Sequence, residues 1–131
     1  MNNILGAIIV FAFMLGSAGM SLAGEVITLT ERDSGKTVGI SVADELEIVL
    51  PANPTTGYIW ETDALGCNLL SHSKVDFLPD TKLMGSGGSE VNWFKAIAEG
   101  TCHLKFIYHR PFEHNVLPIK TFALTVIIKA K

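Results

Sequence analysis

From residue 101 to residue 109 the chain alternates clearly. Cys102, Leu104, Phe106 and Tyr108 fall on one side, His103, Lys105 and His109 on the other. A period of two puts apolar side chains on one face of a β-strand and polar ones on the other. The pattern recurs. Val38, Ile40 and Val42 share a face over residues 37–42, and Leu46, Ile48 and Leu50 share one opposite Glu47. Over residues 120–129 the inward set is Phe122, Leu124, Val126 and Ile128. Residues 26–30, 58–62 (around Ile59 and Trp60) and 91–98 (around Trp93 and Phe94) also read as strands. Residues 63–82 are less regular. No segment after residue 24 has helical periodicity. Short strands separated by Gly, Pro and Asn turns predict an all-β, immunoglobulin-like antiparallel β-sandwich.

The length of 131 residues suits one such domain. The first charged side chain is Glu25. Before it stand an apolar run, residues 4–15, and a small-residue segment, residues 16–23. Ser21-Leu22-Ala23 fits a signal-peptidase site, so residues 1–23 are expected to be a signal peptide and residues 24–131 the mature domain. No Lys or Arg precedes the apolar run. The alternative is therefore an uncleaved anchor, since residues 4–23 are just long enough to span a bilayer. With cleavage, the protein is expected to be exported, periplasmic or extracellular, and free of the membrane. The net charge is −3, and the ten Lys and Arg are scattered. Nucleic acid is not expected as a partner, because phosphate binding needs a concentrated cationic face.

Three loops stand out. The first is Asn53-Pro54-Thr55-Thr56-Gly57-Tyr58, preceded by Pro51, whose missing N–H is read as the end of strand pairing. Pro54 fixes its own φ and pushes Asn53 out of the helical region. Gly57 permits a backbone angle that other residues resist. The product is a stiff projecting turn with two small hydroxyl side chains near its tip. The second loop is Met84-Gly85-Ser86-Gly87-Gly88-Ser89, whose glycines allow close approach of a partner. It lacks the Lys-Ser/Thr and the helix of a phosphate-binding loop. The third is His109-Arg110-Pro111-Phe112-Glu113, a guanidinium and an aromatic side chain held by proline, as in interface hot spots. Taken singly, each loop is also an ordinary sandwich turn.

Together and in this order, the three loops resemble the chagasin family of cysteine-protease inhibitors. That family's pattern is Asn-Pro-Thr-Thr-Gly-aromatic, then Gly-x-Gly-Gly, then Arg-Pro-Trp. Here it reads Asn53 to Tyr58, then Gly85-Ser86-Gly87-Gly88, then Arg110-Pro111-Phe112. The resemblance covers residues 25–130. It implies a reversible inhibitor of papain-like cysteine proteases, not an enzyme. The first loop would enter the active-site cleft as a wedge and the other two would straddle it. By position, Thr55 would lie nearest the protease thiol and Thr56 would help fix the loop. Arg110 and Phe112 would contact the primed-side wall. Phe112 stands where the family usually has Trp, which loses area and an indole N–H, worth roughly 1 kcal/mol of affinity.

Cys67 and Cys102 are the only cysteines. In an immunoglobulin-like topology both fall near the end of neighbouring strands opposite the loops. A disulfide there and a pair of unbridged thiols are both compatible with the sequence. His72, His103, His109 and His114 match no zinc-ligand spacing, so neither metal nor cofactor is expected. Cys102 and His103 are adjacent and so point to opposite faces of a strand, which does not make a nucleophile–base pair. Trp60 and Trp93 are expected in the core. Nothing points to an obligate oligomer, and a monomer is expected. The competing reading is an exported immunoglobulin-like binding or adhesion module without inhibitory activity. A third is a membrane-tethered inhibitor.

Overall fold

The computed structural model describes residues 24–63 and 67–131. The segment read as a signal peptide, with its cut after Ala23, lies outside the described residues. Eight strands follow in order: β1 (Val26–Thr30), β2 (Thr37–Ser41), β3 (Glu45–Ala52), β4 (Ile59–Asp63), β5 (Leu70–Pro79), β6 (Gly88–Ala96), β7 (Gly100–His109) and β8 (Lys120–Lys129). Short 3-10 turns occupy Glu31–Asp33 and Pro54–Thr56. There is no α-helix among the described residues.

The strands form two four-stranded sheets, β1-β3-β6-β5 and β2-β8-β7-β4. The alternating residues behave as their period requires. Leu46, Ile48 and Leu50 are fully buried, and Cys102, Leu104, Phe106, Tyr108, Phe122, Leu124, Val126 and Ile128 all lie in the core. Each buried side chain of this size contributes about 2 kcal/mol relative to exposure. Phe106, in the middle of β7, packs edge-to-face on Trp60 and Phe122 of its own sheet and on Phe94 of the other. This aromatic centre holds the sheets face to face.

The sandwich is not purely antiparallel. β1 pairs with β3 in parallel, and β2 pairs with β8 in parallel. Both are edge strands, and each is added to the flank of an antiparallel core. The irregular stretch 63–82 contains a long strand, β5, that alternation does not reveal. Apart from Leu70, β5 is mostly exposed, and its register shifts between His72 and Lys74. An edge strand with a bulge shows neither a clean apolar face nor an unbroken period. Pro51 does not end β3. It pairs with Ser89, at a point where β1 has already stopped opposite Val49 and β3 has an open flank.

Trp60 is buried, but Trp93 is not a core residue. It lies half-buried on the outward face, where Nε1 donates to Glu47 Oε2 at 2.9 Å and Lys74 Nζ sits 4.8 Å from the ring centroid. Its neighbour Phe94 takes the inward place. The inward-facing Asn92 is 2% exposed and satisfied, donating to Glu90 Oε2 and sharing a 2.8 Å hydrogen bond with His72 Nε2. Cys67 and Cys102 form a disulfide. It ties the segment after β4 to the start of β7, at the end away from the three loops.

Candidate functional site

The segment 53–58 leaves β3 in one sheet and enters β4 in the other. Asn53 is extended, with φ −142° and ψ 96°, as a residue before proline must be. Its side-chain oxygen accepts from Thr55 N at 3.1 Å and from Thr55 Oγ1 at 2.6 Å. Asn53 therefore caps a single 3-10 turn whose first residue, Pro54, has no N–H to leave orphaned. Thr56 Oγ1 donates back to Asn53 O at 2.7 Å. Gly57 ends the turn in the left-handed region at φ +85°. The tip is closed by its own side chains, and both threonines are exposed.

Two anchors fix the turn to the body. Asn53 N donates to Tyr108 Oη at 3.0 Å, and Trp60 Nε1 donates to Pro51 O at 2.9 Å. The ring of Tyr108 lies between those of Tyr58 and Trp60, with centroids 5.4 and 4.8 Å away. Tyr108 belongs to the core by alternation, and its role at the loop is visible in the sequence only as a hydroxyl where a Phe would fill the same space.

The 80–87 loop joins β5 to β6 beside this turn. Asn53 Nδ2 donates to Gly85 O at 3.1 Å, linking the two loops directly. Gly85 has φ +82°, and Met84 is fully exposed. Gly88 is buried at the start of β6, where a Cβ would collide with Leu78 O of the partner strand. That glycine serves the hairpin's own closure. Gly87 and Ser86 are partly exposed.

The 110–119 loop closes the other side. Arg110 Nε donates to Thr56 O at 3.0 Å, and its guanidinium carbon sits 4.4 Å from the centroid of Tyr58. Arg110 Nη1 reaches Glu113 Oε2 at 3.5 Å. Phe112 is 67% exposed, and one edge of its ring packs on Gly57. Pro111 is exposed. His109 turns away from the tip to Glu61, with Nε2 to Oε1 at 2.6 Å. Thus the structure brings Asn53, Thr56, Gly57, Tyr58, Gly85, Arg110 and Phe112 into one contact network, with Thr55 at its exposed tip.

Large apolar side chains gather on these loops. Leu83, Met84, Phe112, Val116, Leu117 and Ile119 are each more than half exposed. Exposed apolar side chains in such number are common at interaction sites. Leu83 and the Val116–Ile119 group were not singled out in the sequence, because apolar residues in a loop carry no period to read. Among the described residues no three His, Cys, Asp or Glu side chains are placed to hold a metal ion.

The sequence model of the Chagasin family peptidase inhibitor I42 matches residues 39–126. Chagasin of Trypanosoma cruzi is 33% identical over 89 residues, covering 64% of this chain and 81% of chagasin. Amoebiasin-1 of Entamoeba histolytica is 31% identical over 106 residues, covering 79% of this chain and all of amoebiasin-1. The crystal structure of a cysteine protease inhibitor from Entamoeba histolytica superposes with a TM-score of 0.73 at 27% identity, over 80% of this chain and 96% of that one. The solution structure of amebosin gives 0.68 at 31% identity, over 81% and 100%. These relatives are inhibitors and not enzymes. With the family's three loops joined at one end of a matching sandwich, the chain belongs to the chagasin family of peptidase inhibitors.

Proposed function

We propose that this protein is a reversible inhibitor of papain-like cysteine proteases that lays its three loops across the active-site cleft. The observation that carries this reading is the network that locks loops 53–58, 80–87 and 110–119 together before any partner arrives. A surface already ordered loses little entropy on docking. Thr55 leads the wedge toward the protease thiol. Its hydroxyl is already donated to Asn53 Oδ1, and its side chain is small enough to fit a narrow cleft. Phe112 lies against the primed-side wall, and the exposed loop glycines let the second loop's backbone come close to the opposite wall. The inhibitor contributes shape and hydrogen-bonding surface, and no bond in it needs to break.

The protein acts as an exported monomer, in the periplasm or outside the cell. An apolar N-terminal segment and a disulfide support this reading, since disulfides persist in oxidising compartments. The deciding experiment adds residues 24–131 to papain or cathepsin L and measures residual activity. Stoichiometric inhibition that reverses on dilution is expected. No inhibition at micromolar protein would instead favour a binding or adhesion module built on the same scaffold. Thr55→Arg places a long charged side chain at the leading edge, and is expected to raise the inhibition constant by at least about tenfold, in the range of a hot-spot loss. An unchanged constant would remove Thr55 from the wedge tip.

A further inference from the structure

Arg110 belongs to the motif that family resemblance assigns to the protease wall, yet its Nε, one Nη and the face of its guanidinium are engaged inside the molecule. Its side chain is 34% exposed. Nε is bonded to Thr56 O, the guanidinium lies over Tyr58, and Nη1 reaches Glu113.

The place where these contacts fall gives them meaning. The 3-10 turn ends at Thr56, whose carbonyl, like the last carbonyls of any helical turn, finds no partner within the turn. Ladder pairing of β4 does not begin until Ile59, opposite His109. Gly57 and Tyr58 therefore form a junction outside the ladder, with their amides on long local bonds, Gly57 N to Pro54 O and Tyr58 N to Thr56 Oγ1, both 3.3 Å, and Gly57 is the residue with the most backbone freedom in the wedge. Arg110 grips that junction on both sides, through the carbonyl before the glycine and the ring after it. Phe112 covers the glycine itself.

We infer that Arg110 is a positioning residue, which clamps the Gly57 junction so that the wedge is held in its docking conformation before the protease is met. This rests on the reading of 53–58 as the wedge and changes the role of its neighbour. The chemistry also selects arginine. A planar guanidinium can hydrogen-bond through Nε while its face stacks on an aromatic ring, whereas a lysine ammonium offers charge without that plane. A clamp and a simple charge contact thus respond differently to Arg110→Lys.

The test uses wild type, Arg110→Lys and Arg110→Gln as full mature domains. NMR relaxation on the free proteins reports the order of the Gly57 and Tyr58 amides. With the clamp removed, order parameters there are expected to fall from about 0.85 toward 0.6 in both variants. Thermal midpoints should stay close to wild type, because the junction lies outside both ladders. Against papain, association is expected to slow about tenfold in both variants, in proportion to the lost docking-competent population. Dissociation should change much less. Unchanged order parameters in the free variants would overturn the clamp, as would full rescue of wedge order by lysine. If the wild-type protein fails to inhibit papain, the protease reading falls, and the order parameters still decide what Arg110 does to the wedge.

Discussion

Gly57 meets two constraints at once. Its φ of +85° is one that L side chains resist, and an added Cβ would stand 3.1 Å from Phe112 Cε2. Gly57→Ala should destabilise the domain by about 1–2 kcal/mol, the cost of a left-handed residue with a Cβ. It should also weaken inhibition, because Phe112 must move. Urea denaturation and an inhibition assay measure the two effects separately. Phe112→Trp restores the family's usual residue on a ring that is already exposed, and is expected to tighten binding about fivefold, near 1 kcal/mol. An unchanged or weaker constant would place Phe112 outside the protease contact. At this scale the sequence was legible wherever a residue constrains its own backbone. Pro54, Asn53 and Gly57 do so, and each adopts the conformation its chemistry dictates. The pairing of Arg110 with Thr56 was not legible, because it joins residues 54 positions apart and depends on how the sheets stack.

Strands declare themselves in sequence when one face is buried, and this sorts the elements here. β3, β7 and β8 bury every second side chain and were read with their correct inward residues. β5 is an edge strand interrupted by a bulge, so it left no period to read. Trp93 misled for a related reason. Its size suggested the core, while its place in the alternation, next to the inward Phe94, put it outside against Glu47 and Lys74. The parallel pairing of β1 with β3 and of β2 with β8 was equally invisible, since alternation says which face is buried and nothing about which neighbour a strand joins. The β5–β6 hairpin allows an element-scale test of the second loop. Replacing residues 81–86 by a two-residue Asn-Gly turn should leave the ladder intact, because it joins Asp80 to Gly87, which already face each other, through a turn that suits a tight hairpin. It removes Met84 and the Gly85 carbonyl that holds Asn53. Inhibition is expected to weaken with little change in the unfolding midpoint. Retained inhibition would show that the wedge needs no support from that side.

The whole molecule separates its staple from its three loops. The Cys67–Cys102 bridge closes 35 residues of chain at one end of the sandwich, and the loops occupy the other. By loop-closure entropy a bridge of this span stabilises by about 3–4 kcal/mol. The double substitution of Cys67 and Cys102 by Ser should lower the unfolding free energy by that order. Below the new unfolding midpoint it should leave the inhibition constant nearly unchanged, as expected for distant sites without shared partners. A large loss of inhibition in the folded variant would mean that the two ends are coupled through the strands between them.

The parallel pairing of β1 with β3 settles which way this surface faces when the protein is held. β3 runs toward the wedge, so β1 runs the same way and must start at the opposite end, where Glu25 N meets Asp44 Oδ1. β8 descends antiparallel to β7 and finishes beside Gly100, at that same opposite end. Residues 24 and 131 are therefore both on the base of the sandwich. Attachment at either position, to a bead, a carrier domain or a lipid surface, presents all three loops outward and leaves them clear of the support.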